Sequence, residues 1–204
     1  MKLRDIVKNL EILECTAPLD TEISGVSYDS RVTRPGDLFV AIKGFEADGH
    51  KFIPKAVERG AAAVLCEDAP TDGTPYVRVA DCRLGLAYAS RELFGNPAKR
   101  MTLIGITGTS GKTTSSYLIK HMLEAKLGAK GGLSGPNGNM IGDELIDSEH
   151  TTPESYELNK LFDAMANAGC THVVMEVSSH ALALERVAGI HFDVGEFTNL
   201  SQDH

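Results

Sequence analysis

Leu3, Ile6, Val7, Leu10 and Leu13 recur at helical spacing, which predicts a short amphipathic helix over residues 3–13. The period then falls to two. Residues 23–28 alternate as a strand does, and after the Pro35-Gly36 turn residues 37–42 predict a second strand. Further on come a helix over 52–59 stopped by Gly60, a buried strand over 61–66, a short strand over 76–79 and a helix over 84–94. Gly95-Asn96-Pro97 ends this unit as a linker, so residues 1–97 predict one small α/β domain and 98–204 a second. In the second, strand runs are apolar on both faces, the signature of a parallel sheet covered by helices. A strand over 101–106 and a helix over 112–128 lead it. Residues 131–143, with five glycines, Pro136 and two asparagines, predict an exposed loop or loose hairpin. Thr152 as cap and Pro153 at the first helical position predict a helix running to Ala168. Strands over 171–177 and 190–197 follow. The fold class expected is α/β.

Composition narrows the class of function. The 204 residues are 42% hydrophobic and 24% charged, ordinary for a soluble globular protein. A net charge of −8 without any basic run argues against a nucleic-acid surface, so affinity for phosphate must be local. Cys15, Cys66, Cys82 and Cys170 are scattered, with no Cys-x-x-Cys pair, as expected of reduced thiols in a cytoplasmic protein. The N-terminus alternates charged and apolar residues and predicts neither a signal peptide nor a membrane span.

Candidate chemistry concentrates at residues 104–114, Ile-Gly-Ile-Thr-Gly-Thr-Ser-Gly-Lys-Thr-Thr. Strand, glycine loop, Lys-Thr and helix start come in the order that builds a phosphate cradle. Loop amides of Gly108, Thr109, Ser110 and Gly111 and the helix start at Thr114 would face anionic oxygens. Lys112 would neutralise charge, and the Thr113 hydroxyl can hold Mg²⁺. Ile106 stands where the usual Walker spacing needs a glycine. Glu176 closes the 171–177 strand, where an acid beside the phosphate strand would hold the cation. The plainer alternatives are a glycine turn before an ordinary helix and a surface acid at a strand end.

The shortened Thr-Gly-Thr-x-Gly-Lys-Thr loop resembles that of the Mur ligase and folylpolyglutamate synthetase superfamily. Asp29-Ser30-Arg31, Pro35-Gly36-Asp37-Leu38-Phe39-Val40-Ala41, Gly44 and Asp48-Gly49-His50 are similar to the N-terminal domain of the Mur ligases that add the third residue and the terminal dipeptide to the peptidoglycan stem. The resemblance implies that Tyr28 and Ser30 contact the uridine nucleotide and that backbone from Phe45, Glu46 and Ala47 closes over it. On chemistry alone, Asp-Ser-Arg could equally be a strand-end turn. Thr151-Thr152-Pro153 is similar to a pair that grips the muramoyl-peptide, although it also makes a sound helix start. Glu176-Val177-Ser178-Ser179-His180-Ala181-Leu182 looks like the third-residue enzyme in particular. On that likeness Ser178 and Arg186 touch phosphate or peptide carboxylates. Some relatives carry Gln where Leu184 stands, and that contact is not expected here. Thr198-Asn199-Leu200-Ser201-Gln202-Asp203-His204 matches the family's Asn-Leu-x-x-Asp-His motif, implying that Asn199 faces the adenine side and His204 binds a second Mg²⁺. The plainer alternative for His204 is a solvated histidine.

The resemblance implies an ATP- and Mg²⁺-dependent ligase with Lys112, Glu176 and His204 in catalysis and Thr113, Glu176 and His204 on metal. A carboxylate of UDP-MurNAc-L-Ala-D-Glu would take phosphate from ATP, and a free amino acid would then displace it. Family enzymes are longer, so this stretch is expected to be the N-terminal part of one, monomeric and without turnover by itself. Another ligase of the superfamily, a non-catalytic UDP-sugar module and a P-loop switch ATPase remain alternatives. The last is disfavoured by the missing glycine and by the lack of a strand ending in Asp.

Overall fold

In the computed structural model, which describes residues 1–44, 47–146 and 153–201, the chain divides into two units, Met1–Gly95 and Asn96–His204. The elements of the first are α1 (Leu3–Val7), β1 (Glu14–Cys15), β2 (Gly25–Ser27), β3 (Asp37–Val40), α2 (Ile53–Glu58), β4 (Ala63–Cys66), β5 (Tyr76–Arg78) and α3 (Cys82–Leu93). Its sheet runs β1-β5-β4-β3-β2, parallel except for the antiparallel edge strand β1. Alternation decides what covers each face. Phe39 and Val64 point to α2, where Ile53 and Ala56 complete a buried cluster. Val40 and Leu65, paired side by side, point the other way. On that face α3 comes so close that a Cβ on Gly85 would lie 2.6 Å from Leu65 Cδ2.

The second unit holds β6 (Thr102–Thr107), α4 (Lys112–Leu127), β7 (Gly131–Gly135), β8 (Gly138–Ile141), β9 (Glu144–Ile146), α5 (Ser155–Asn167), β10 (His172–Glu176), α6 (Ser179–Ala183) and β11 (Val194–Phe197). Strand order is β11-β6-β10-β7-β8-β9. The first four are mutually parallel, and β8 and β9 add an antiparallel hairpin. Leu103, Val173 and Met175 meet Leu158, Phe162 and Met165 of α5 on one face. Ile104, Ile106, Leu133 and Val174 meet Tyr117, Ile119 and Leu123 of α4 on the other. This is the α/β, parallel-sheet architecture expected.

Four expectations need correction. The first helix stops at Val7, because Leu13 N donates to Arg78 O (2.8 Å) and the chain leaves to become an edge strand, with Leu13 exposed. Residues 131–143 do form a hairpin, β7 pairing antiparallel with β8, but not an exposed or loose one: β7 is buried throughout and pairs with β10 on its other side. Its glycines are crowded by close neighbours. A Cβ on Gly131 would lie 2.6 Å from His172 Nε2, on Gly132 2.8 Å from Met165 Sδ, and on Gly135 2.7 Å from Glu176 Oε1. The helix after Pro153 begins at Ser155, with Glu154 rather than Thr152 at its N-cap position. Residues 190–197 reach strand geometry only at Val194; Phe192 instead packs its ring over Gly105.

Candidate functional site

β6 delivers the chain into the glycine loop, and two positive φ values shape it, +132° at Gly108 and +84° at Gly111. Such angles strain any residue with a Cβ. At Gly108 a side chain would also strike Thr198 Oγ1 and approach Asn199 O at 2.9 Å. Around Gly111 nothing lies within 4 Å of the Cβ position, so the loop is open there. Gly111 sits at the N-cap of α4, whose first amides, on Lys112, Thr113 and Thr114, precede any intrahelical acceptor. Ser115 N already reaches Gly111 O at 2.9 Å. Lys112 folds back, its Nζ donating to Gly108 O (2.6 Å) and Thr109 O (3.1 Å).

Glu176 ends β10 in register with Ile106 of the neighbouring β6. Its carboxylate is buried, 6% exposed, and accepts from Thr113 Oγ1 at 3.1 Å. Ser116, fully buried one turn further along α4, stands 3.5 Å from the other carboxylate oxygen and donates to Thr113 O at 2.9 Å. Burial raises the Glu176 pKa, and the Thr113 hydrogen bond and the Lys112 charge only partly offset it. A hydroxyl and a carboxylate converging at the mouth of an anion-accepting loop form a hard-oxygen donor set, the kind that suits Mg²⁺.

The segment after β11 runs along the loop. Asn199 O accepts from Thr109 N (3.0 Å). Its carboxamide brackets Ser110, with Oδ1 accepting from Ser110 N (3.2 Å) and Nδ2 donating to Ser110 O (3.1 Å). Asn199 was expected on the adenine side; here its amide is engaged by the loop itself.

The other predicted residues fall as follows. Ser178 caps α6, its Oγ accepting from Ala181 N at 3.1 Å. Arg186 is paired with Glu154, Nε donating to Oε1 at 2.8 Å, so the start of α5 and the segment after α6 are tied together. In the first unit Ser30 is buried and Tyr28 half-buried. Between them Asp29 holds Arg31 through its backbone amide (2.8 Å) and its guanidinium (2.7 Å), which keeps the Asp29 carboxyl below its ordinary pKa. Ala47 is exposed, and its carbonyl accepts from Gly44 N at 3.0 Å. Phe45, Glu46, Thr151, Thr152 and His204 lie outside the described residues. Asp48, His50 and Asp68 cluster closely enough to suggest a cation site. His50, however, uses Nδ1 on Asp48 (2.6 Å) and Nε2 to accept the amides of Glu67 and Asp68 (3.0 and 3.2 Å), leaving no ring lone pair for a metal. Sequence reasoning missed Ser116, Gly135 and Thr198. Only Ser116 carried a signal, three positions after Thr113 on the inward face of α4.

Models of two Mur ligase domains match the chain, the Mur ligase family catalytic domain over residues 22–94 and the Mur ligase middle domain over 106–204. The chain belongs to the Mur ligase family. The UDP-N-acetylmuramoyl-L-alanyl-D-glutamate--2,6-diaminopimelate ligases of Bacteroides fragilis and Chlorobium phaeobacteroides are 44% and 47% identical to it over the whole chain. The chain spans 42% and 41% of their respective lengths. A solved structure of a ligase of the same name superposes with a TM-score of 0.85 at 28% identity, covering 100% of this chain and 41% of that one. The Mur ligase MurF of Thermotoga maritima, solved in complex with ADP, covers 78% of this chain and 32% of its own at a TM-score of 0.51 and 28% identity. Among the described residues no helix is long and apolar enough to cross a membrane.

Proposed function

We propose that this chain carries the UDP-substrate and ATP-binding parts of the Mur ligase that adds the third amino acid to UDP-MurNAc-L-Ala-D-Glu in cytoplasmic peptidoglycan synthesis, acting as a monomer. The observation that carries the reading is the hydrogen bond of Thr113, at the start of α4, to Glu176, at the tip of the strand beside β6, with the Lys112 ammonium held by the loop near enough for its charge to act on that carboxylate. The names of the relatives favour 2,6-diaminopimelate as the added residue.

In this role the amides at the start of α4 hold the terminal phosphates, aided by the positive end of a 16-residue helix. Lys112 exchanges its two loop carbonyls for phosphate oxygens and steadies charge as the substrate carboxylate attacks the γ-phosphorus of ATP. The bond from the γ-phosphorus to its bridging oxygen breaks and ADP leaves; the acyl phosphate so formed is opened by the amino group of the incoming residue, which loses a proton as the amide forms and phosphate departs. Thr113 and Glu176, with His204, would hold Mg²⁺, which when bound offsets the repulsion between two anionic reactants. Ser178 and Arg186, with Thr151 and Thr152, take the muramoyl-peptide, and Tyr28, Ser30 and the 45–47 backbone take the uridine diphosphate. For Arg186 this requires release from Glu154.

Calorimetry with ADP and Mg²⁺ tests the nucleotide half: wild type should bind and Glu176→Gln should lose the magnesium dependence. Equal binding with and without magnesium in both would overturn the assignment of Glu176. Likeness to MurF leaves a terminal-dipeptide ligase as the second reading. Preference for UDP-muramoyl tripeptide over dipeptide would favour it.

A further inference from the structure

The apex of the loop, Thr109-Ser110, is held from outside the loop. Ser110 O accepts both Thr198 Oγ1 (2.8 Å) and Asn199 Nδ2 (3.1 Å), filling its two lone pairs. Ser110 N donates to Asn199 Oδ1, and Thr109 N to Asn199 O. Thr109 Oγ1 both accepts from Ser201 N (3.0 Å) and donates to Ser201 O (3.2 Å). Thr198 N donates to Thr107 O at 3.0 Å, carrying the β11–β6 ladder up to the loop. Two apex amides are thus turned towards residues 198–201, while those at the start of α4 face the open side around Gly111.

We propose that Asn199, with Thr198, is a positioning residue that holds the phosphate loop in its binding shape, and that the amides of Thr109 and Ser110 are withheld from the nucleotide. Recognition of the phosphates then falls to Gly111, Lys112, Thr113 and Thr114. This rests on the nucleotide-binding reading above and deepens it. A loop already ordered loses little conformational freedom when the phosphates arrive, so losing the brace weakens nucleotide binding through a group that never touches it. Asn199 is exposed, so its truncation should leave the fold intact.

The test is amide exchange by NMR together with titration by ADP and Mg²⁺, on wild type, Asn199→Ala, Thr198→Val and Thr198→Ser. In wild type the Thr109 and Ser110 amides should be protected before nucleotide is added and unchanged in shift after it. Asn199→Ala should speed Ser110 exchange and weaken ADP affinity about tenfold, the loss of a typical hydrogen bond or two. Thr198→Val should do the same more mildly, and Thr198→Ser, which keeps the hydroxyl, should behave as wild type. Nucleotide affinity that drops in Asn199→Ala while Ser110 stays protected would mean that Asn199 contacts the nucleotide directly, and the proposal fails. Unchanged affinity with fast exchange defeats it too. Absence of binding in wild type is distinguishable from both, and takes the nucleotide reading down with it.

Discussion

Gly135→Ala separates the position of Glu176 from the stability of the sheet that carries it. A Cβ at residue 135 would lie 2.7 Å from Glu176 Oε1 and 3.3 Å from its Cδ, so the carboxylate must retreat by about 0.7 Å to reach ordinary contact. The atoms struck are the far end of a flexible side chain, and the backbone at 135 has no positive φ. Stability should therefore change by less than about 1 kcal/mol, with the unfolded-state entropy lost by replacing glycine offsetting part of the crowding. Alignment should suffer more. The oxygen struck is Oε1, which stands 3.5 Å from Ser116 Oγ, while Thr113 bonds Oε2 at 3.1 Å, so the carboxylate must turn or shift as a whole and both contacts are disturbed. A misplacement near 1 Å at a reacting centre can cost about a hundredfold, and on this smaller scale a loss of about tenfold or more is expected in magnesium-dependent ADP affinity. Gly132→Ala is the matched control. Its Cβ meets Met165 Sδ at 2.8 Å and Val173 Cγ2 at 3.0 Å, in the core and away from the carboxylate. It should destabilise by about 1–3 kcal/mol through overpacking and leave ADP affinity intact. Urea denaturation and calorimetry on both variants give the four numbers needed. Wild-type magnesium dependence in Gly135→Ala, with the carboxylate displaced in a crystal structure, would refute the dependence on Glu176 placement.

Three further predictions follow from other parts of the molecule. In a chain of the relatives' full length, Lys112→Ala should lower kcat about a thousandfold or more, since several kcal/mol of charge stabilisation are lost in the transition state; near-normal turnover would contradict its role. His172 is 2% exposed, and burial holds its pKa below the ordinary 6.5, with Glu124 opposing and Lys120 reinforcing the shift. Below 6.5 the unfolded chain takes up a proton that the folded one resists, so stability should fall as pH drops from 6.5 towards the lowered folded value. His172→Gln should flatten that part of the urea-midpoint profile. Asp81 caps α3 by accepting from Arg83 N (2.7 Å) and Leu84 N (3.2 Å); Asp81→Ala should cost about 1 kcal/mol, measured by thermal melting.

Much of the fold was legible because the strands advertise themselves. Runs such as 101–106 and 171–177 are apolar on both faces, as only a sheet covered twice can be, and Glu176 breaks such a run where a site would be built. Strand β7 was illegible for the opposite reason. Its glycines carry no hydrophobic signal, and each is crowded by a side chain from a distant segment: His172, Met165 or Glu176. Local composition cannot report a neighbour some forty positions away. The same limit hid Thr198 and the bracket made by Asn199, whose partners lie about ninety residues upstream. Helix α1 stops short because Leu13 finds an acceptor on Arg78, a contact no period encodes.

The ammonium of Lys112 resting on the carbonyls of Gly108 and Thr109 sets a threshold for admission. Hydrogen bonds to a charged group are worth about 1.5–3 kcal/mol each, and a visiting anion must outbid both to claim the lysine. A chloride brings a single atom to that contest, whereas a sulfate already brings several oxygens to the helix-start amides. On the nucleotide-binding reading proposed above, a polyphosphate chain would reach the helix amides and the lysine together, so the loop would favour visitors that carry several charged oxygens in a row over those that carry one.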